Sequence, residues 1–396
     1  MSVRELEETK SSAKVLVVTH AYPSEADPYR NGFVHRRVHE YQKTGIACDV
    51  YVVNDATKVN GSYEYEGVSV TVCTGEDYRN RIRKSNYRVF LLHFATEAMT
   101  KPIVQHHPDS FIIAWVHGVE AEAWHRRWFN YVESAREIRS ALEKRERYYK
   151  PQNEFMRWLI ADSDHAIDIV HVSQWFKENI VEPDIGRVTR NSHVIPNYID
   201  SDLFAYRAKD ADDRLKILSL RPFASRKYAN DLTAAAIVEL ARRPYFEALQ
   251  FTIRGDGKLF DKVTAPLLQY PNVSVDRGLL EQHQIPELHA AHGVFLAPTR
   301  FDSQGVSMCE AMSSGLVPIS TRIAAIPEFV DDYRTGMLAE PESPVSIADR
   351  IERLFYNPTL FTQMSSAAAE RVRQQCGPEA TTRREAALIH ERLGGE

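Results

Sequence analysis

Cysteine is scarce and scattered in this chain of 396 residues: Cys48, Cys73, Cys309 and Cys376 include no C-x-x-C pair. Neither a disulfide framework nor a cysteine-ligated zinc site is indicated, and reduced, mostly buried thiols are expected. A basic surplus is missing too. Lysine and arginine total 49 against 54 aspartates and glutamates, a net charge of −5, which gives no general case for nucleic acid. No apolar run reaches the roughly 18 residues that a membrane span requires. The opening Met1-Ser2-Val3-Arg4-Glu5-Leu6-Glu7-Glu8 has no signal-peptide core. A cytoplasmic protein without a transmembrane segment is the expectation. No histidine, cysteine and aspartate cluster has metal-ligand spacing, and no D-x-D tripeptide stands at a strand end. Low-complexity tracts and short repeats are also absent.

What remains is the composition of a globular protein, 43% hydrophobic and 26% charged. Its length exceeds one ordinary core and implies two domains. The run Lys14 to Val18 reads as a buried parallel strand, followed by a helix over residues 31 to 44. Further strands are predicted at Cys48 to Val53, Val68 to Cys73, Val89 to His93, Phe111 to Val116 and Ala166 to Val172. After the polar stretch Asp200 to Asp213, a second series starts at Leu215 to Leu220. It continues at Gln250 to Arg254, Val273 to Val275, Val294 to Ala297 and Val317 to Ser320, with helices at Asp231 to Arg242 and Ser346 to Phe355. Strands alternating with helices predict an α/β protein of two doubly wound parallel sheets. Ligands of such sheets sit at the carboxyl ends of the strands.

The stretch from Phe301 to Gly315 sets two carboxylates, Asp302 and Glu310, around a glycine turn at Gly305 that leads into a helix. Amides at a helix start attract phosphate, glycine lets backbone approach a ligand, and carboxylates accept from vicinal hydroxyls. Ser307 with Glu310 also fits a capping box, which needs no ligand.

This segment resembles the E-x7-E region of family 4 retaining glycosyltransferases of the GT-B fold, with Asp302 where the first glutamate usually stands. The run Gly315 to Thr321 and Ile326-Pro327-Glu328 follow the same pattern. So do His117-Gly118, Val172 to Phe176, Val194 to Asp200, Arg221 with Lys227, and Arg254-Gly255-Asp256-Gly257, in family order along nearly the whole chain. The resemblance implies two Rossmann-like domains facing across a cleft. Residues 1–205 would hold the acceptor, 206–377 the sugar nucleotide, and 378–396 a helix crossing back to the first domain. A helical insertion at about 120–160 is the least family-like part.

On local grounds Arg221 and Lys227 belong to an exposed basic loop, but by resemblance they neutralise a departing diphosphate. Arg226 competes for that role. Gly255 fits an ordinary tight turn or a close approach to the donor. Gly32 stands alone where the family has a glycine-rich turn. His117 is implied to contact a sugar hydroxyl or stabilise the reaction centre, with His20 a weaker candidate of the same kind. Asp302 and the backbone of Gln304, Gly305 and Val306 would address the donor sugar, and Glu310 the ribose. Aspartate is one methylene shorter than glutamate, so the reach of Asp302 falls about 1.5 Å short unless its loop moves inward.

Between Trp124 and Trp158, eight aromatic residues interleave with Arg126, Arg127, Arg136, Arg139, Arg145 and Arg147 and with Glu133, Glu137, Glu143 and Glu146. Such a mix suits an acidic or lipid-linked acceptor, an anionic membrane surface at the inner face, or simply a solvated helix. The resemblance implies a metal-independent, cofactor-free transfer from a nucleoside-diphosphate sugar to a hydroxyl of a glycan, lipid-linked or small-molecule acceptor. Two alternatives stand beside it: a catalytically silent GT-B protein binding a glycan or an active partner, and a sugar-nucleotide epimerase.

Overall fold

The computed structural model describes residues 14–25, 27, 30–54, 60–130, 134–278 and 280–394. Met1 to Glu8, Glu133 and Tyr131, one of the eight aromatic residues counted above, lie outside them. The chain divides into two compact units. One comprises Met1–Ala123, Glu143–Tyr198 and Pro378–Glu396, and the other Trp124–Leu142 and Ile199–Gly377.

The first unit is built on an eight-stranded sheet: β1 Val15–Thr19, β2 Cys48–Val53, β3 Gly61–Tyr65, β4 Val68–Cys73, β5 Val89–His93, β6 Phe111–Val116, β7 Ala166–His171 and β8 Ser192–Val194. The spatial order is β3-β4-β2-β1-β5-β6-β7-β8. β1 and β5 are buried at every residue, as continuous apolar strands covered on both faces must be. Among the strands of the described residues only β3 and β4 pair antiparallel. They are joined by Glu66 and Gly67, both at positive φ (45° and 78°), the geometry that suits a two-residue hairpin to the strand twist.

The second unit has six strands: β9 Lys216–Leu220, β10 Gln250–Gly255, β11 Val273–Arg277, β12 Val294–Leu296, β13 Val317–Thr321 and β14 Met337–Ala339. They run parallel in the order β11-β10-β9-β12-β13-β14, the dinucleotide-binding arrangement. Its direction of winding reverses between β9 and β12, which opens a crevice at their carboxyl ends. In the first unit the reversal falls between β1 and β5.

Two boundaries differ from the sequence reading. Residues 199–205 join the second unit, because the Ile199 amide donates to the Cys376 carbonyl (2.9 Å) and the Ser313 hydroxyl to the Phe204 carbonyl (2.8 Å). Residues 124–142 join it as well. Ser225 Oγ bonds Asn130 Oδ1 at 2.8 Å, and Arg226 Nη1 donates to the Phe129 carbonyl at 3.3 Å.

The helix Thr382–Gly394 belongs to the first unit. Its Glu385 is fully buried and accepts from Arg37 Nε (3.1 Å), Trp115 Nε1 (2.9 Å) and the Tyr41 hydroxyl (2.6 Å). Arg37 also donates to Asn197 Oδ1 at 3.0 Å. A buried charge pair of this kind persists only when its remaining donors and acceptors are also satisfied.

Candidate functional site

The crevice of the second unit begins where β9 ends at Leu220. Arg221 follows, and its backbone runs against the end of β10. The Arg221 amide donates to the Arg254 carbonyl (3.1 Å) and the Phe223 amide to the Asp256 carbonyl (2.8 Å). A Cβ on Gly255 would lie 1.9 Å from the Arg221 carbonyl oxygen, and one on Gly257 2.3 Å from the Phe223 carbonyl carbon. Gly255 is therefore a packing requirement behind Arg221.

Lys227 lies in the short turn Arg226–Tyr228, whose entry Ser225 caps by accepting from the Lys227 amide at 3.2 Å. The Lys227 carbonyl is held twice, by the Arg300 amide (2.9 Å) and the Thr299 hydroxyl (3.0 Å). Arg300 is itself clamped between Asp231 and Glu342, each at 2.8 Å. The turn is thus fixed from its far side. Arg221 Cζ and Lys227 Nζ stand 5.0 and 5.6 Å from the centre of the Tyr228 ring, so the aromatic face brings the two cations together.

From the other side of the crevice comes the loop after β12. Gly305, at φ 84°, opens the helix Val306–Ser313, a backbone conformation that favours glycine. The Asp302 carboxylate accepts from the Gly305 amide (3.0 Å) and more weakly from that of Gln304 (3.4 Å). The capping box weighed for Ser307 and Glu310 does not form, because the helix starts at Val306 and Ser307 already lies inside it. The Ser307 hydroxyl instead meets Arg221 Nη1 at 2.8 Å.

Arg221 is 5% exposed, and its Nε is buried without a hydrogen-bond partner. Burial depresses its pKa, an effect that Asp302 and Tyr228 partly offset. Burial would push the Asp302 carboxyl up, but the charges of Lys227 and Arg221 and the two loop amides outweigh it and hold the group below its ordinary range. The sequence candidates Arg221, Lys227, Asp302, Gly255, Gln304, Gly305 and Val306 thus converge on one crevice. Glu310 lies half-buried one turn along the same helix. Two of the amides assigned to the donor, those of Gln304 and Gly305, already serve Asp302. The Gln304 side chain is buried and reaches Cys376 Sγ at 3.7 Å. The Val306 amide opens the helix, where no preceding carbonyl is available to it.

The first unit holds a second group of candidates. His117, just past β6, stacks at 5.3 Å on His93 and shares a 3.0 Å hydrogen bond between ring nitrogens. Phe94 and Phe33 close around it at 4.7 and 5.0 Å. Burial first, then the charge of Arg37 and the neighbouring His20, holds His117 well below the ordinary histidine pKa, so the ring is neutral. His20, at the end of β1, is exposed and stands 4.7 Å from Phe94. Gly32 is the first residue of the helix Gly32–Lys43, after a left-handed Asn31.

Glu120, which the sequence reading passed over, orients the His117 loop: its carboxylate accepts from the amides of His117 and Gly118. Burial pushes it up to about 7 despite those bonds. The signal was present in His117-Gly118-Val119-Glu120 as an acid two residues beyond a strand-end glycine. Tyr228 and Ser307 were also missed. Among the described residues no group of three or more histidine, cysteine or acidic side chains is placed to hold a metal ion.

Residues 215–357 match the family model described as glycosyl transferases group 1. That span contains the whole crevice. Over that span the chain is similar to group 1 glycosyl transferases. Sequence relatives agree with the assignment. The chain is 26% identical over 178 residues to alpha-D-kanosaminyltransferase of Streptomyces kanamyceticus, covering 43% of this chain and 45% of that protein. It is 22% identical over 239 residues to N-acetyl-alpha-D-glucosaminyl L-malate synthase of Bacillus anthracis, covering 56% and 58%. The chain spans about half the length of these curated relatives. Among solved structures, sucrose-phosphate synthase from Thermosynechococcus elongatus superposes with a TM-score of 0.75 at 14% identity, covering 97% of this chain and all of that one. HepE of Anabaena, solved with UDP and glucose, gives 0.64 at 13% over 97% of this chain and all of its own. The fold around residues 215–357 is GT-B, and the chain resembles the family 4 type.

Proposed function

We propose that this protein is a retaining glycosyltransferase that moves a sugar from a nucleoside diphosphate to a hydroxyl acceptor without a metal ion. The observation that carries the reading is Arg221, a buried cation paired across Tyr228 with Lys227 at the start of the Val306–Ser313 helix. Buried positive charge beside helix-start amides is the environment that a diphosphate needs. The negative charge that grows on the phosphate as the glycosidic bond breaks is stabilised there by groups that need no reorganisation.

In this reading the bond from the anomeric carbon to the phosphate oxygen breaks while the acceptor oxygen bonds to the same face of that carbon. The acceptor proton passes to the departing phosphate oxygen, so no protein base is required. Asp302 sets the loop that lines the sugar and Glu310 accepts from the ribose, while the role of neutral His117 as a sugar-hydroxyl contact rests on the family resemblance. The relatives support the class: one is an alpha-D-kanosaminyltransferase, and HepE was solved with UDP and glucose.

The engagement of Asp302 by its own loop amides favours a second reading, a silent protein that binds a nucleotide sugar or glycan without turnover. Incubating the protein with UDP-, GDP- and ADP-sugars and measuring nucleotide release separates the two. Release that disappears in Lys227→Ala supports the enzyme, whereas a melting temperature raised by a nucleotide with no release supports the silent binder.

A further inference from the structure

The helix that starts at Ala135 continues through Arg145–Tyr149 and Lys150–Arg157 to Asp162, and its surroundings change at Tyr149. From there on, Tyr149, Phe155, Met156, Leu159 and Ile160 are buried. Before it, the segment Ala135–Lys144 has no buried residue at all. Yet that segment is amphipathic. Ile138 and Leu142 lie four residues apart, on one helical face, and are 44% and 41% exposed, with Trp128 at 51% and Tyr148 at 39% nearby in the chain. Four of the ten large apolar side chains left exposed among the described residues therefore crowd into this one stretch. A cluster of that kind marks a docking surface, where single exposed apolar residues would not.

Charge decides what docks. Residues 124–150 carry six arginines and two lysines against four glutamates, a surplus of four positive charges in a chain whose net charge is −5. Glu146 is already engaged within the helix, by Arg145 (3.3 Å) and Lys150 (3.9 Å). Lys144 Nζ lies 5.4 Å from the ring centre of the exposed Tyr148, so cation and aromatic meet at the surface there. An apolar stripe flanked by cations on a helix segment that buries none of its residues is the form of an interfacial helix, and anionic lipid is the surface that matches both halves of it.

We propose that Trp128 and the helix Ala135–Lys144 dock this protein on an anionic phospholipid bilayer. Ile138, Leu142 and Trp128 enter the boundary between headgroups and acyl chains, and Arg136, Arg139 and Lys144 face the lipid phosphates. The proposal is independent of the transferase reading, since it concerns where the protein sits and not what it turns over.

Flotation of the full chain with vesicles tests it. Binding to vesicles of phosphatidylcholine with about 30% phosphatidylglycerol should exceed binding to pure phosphatidylcholine by about tenfold or more. About 0.5 M NaCl should weaken it, because surface charge is then screened within a few ångströms. The double variant Ile138→Glu, Leu142→Glu should lose flotation, and Arg136→Glu with Arg139→Glu should reduce it by about tenfold or more. Leu268→Glu, at an apolar side chain 70% exposed elsewhere in the second unit, should bind as the parent does. All these sites are exposed, so thermal melts should show each variant folded. Three results would each overturn the proposal: no flotation with anionic vesicles, flotation undiminished in the Ile138→Glu, Leu142→Glu variant, or light scattering in which that variant converts a dimer to a monomer.

Discussion

Arg221 Nη1 donates to Ser307 Oγ over 2.8 Å, linking two residues 86 positions apart. This bond ties the end of β9 to the first turn of the Val306–Ser313 helix, so one guanidinium spans both walls of the crevice. Arg221→Ala should lower kcat/KM for the sugar nucleotide by about 10²- to 10³-fold, the usual loss for one charge-stabilising donor. Arg221→Lys should restore little, because a point charge cannot reach Ser307 and the ligand together. Steady-state kinetics on both variants checks this, and equal activity of Arg221→Lys and the parent would contradict it.

Gly255→Ala puts a methyl group 1.9 Å from the Arg221 carbonyl. Backbone must move, at a cost of about 1–3 kcal/mol or more, and Arg221 moves with it. Gly61→Ala meets nothing within 4 Å and serves as the control. Urea midpoints should separate the two, and turnover should fall only in Gly255→Ala.

Asp302 presents one oxygen at 3.0 Å from the Gly305 amide, a reach set by its short side chain. Asp302→Glu, although it restores the more usual family residue, should lose that hydrogen bond and about 0.5–1.5 kcal/mol of stability. The folded-state pKa of Asp302 is depressed, so its contribution is present above the unfolded value and disappears as pH falls through the folded one. Asp302→Asn should therefore flatten the acid limb of the stability curve, which denaturant melts at pH values below the ordinary aspartate pKa of 3.8 would register.

Glu120 gives the opposite sign. Its folded pKa is about 7 against an ordinary value of 4.5, so the native state holds a proton that the unfolded chain releases between those values. The stability Glu120 contributes is complete below pH 4.5 and lost as pH rises through about 7. Across that window the parent should lose about 2–3 kcal/mol relative to Glu120→Gln. Using the difference between the two proteins cancels His93 and His117, whose depressed pKa values act in the reverse direction. Glu120→Gln should also cost about 1–3 kcal/mol throughout, since its amide nitrogen cannot accept from a backbone N–H.

Glu385→Ala should destabilise the first unit by about 3–5 kcal/mol, because Arg37 is left as an uncompensated buried charge. The double variant Arg37→Met, Glu385→Leu should be the milder of the two. Thermal denaturation orders them, and a double variant worse than the single one would refute the argument.

The strands were legible where burial on both faces forces a continuous apolar run, as in Val89–His93 and Phe111–Val116, and where apolar residues alternate, as in Cys48–Val53 and Val68–Cys73. All four coincide with the sequence reading residue for residue. Strands β8 and β14 escaped it, being three residues each, too short for periodicity to register. β3 escaped because it is a half-exposed hairpin edge rich in polar residues.

Local pattern alone settled that the chain is α/β, that its strands are buried and parallel, and that Arg221, Lys227 and the Asp302 to Glu310 segment stand at strand ends. Such features depend on neighbours within a few residues, and hydrophobic period and turn chemistry report them directly. Tertiary structure alone decided that Ser307 serves Arg221 and not a helix cap, that Gly255 is the floor beneath Arg221, that Glu120 holds the His117 loop, and that Glu385 neutralises Arg37 from 348 residues away. Those pairings follow from which surfaces the packed sheets bring together. A hydrogen bond constrains distance in space, and chain separation carries no record of it.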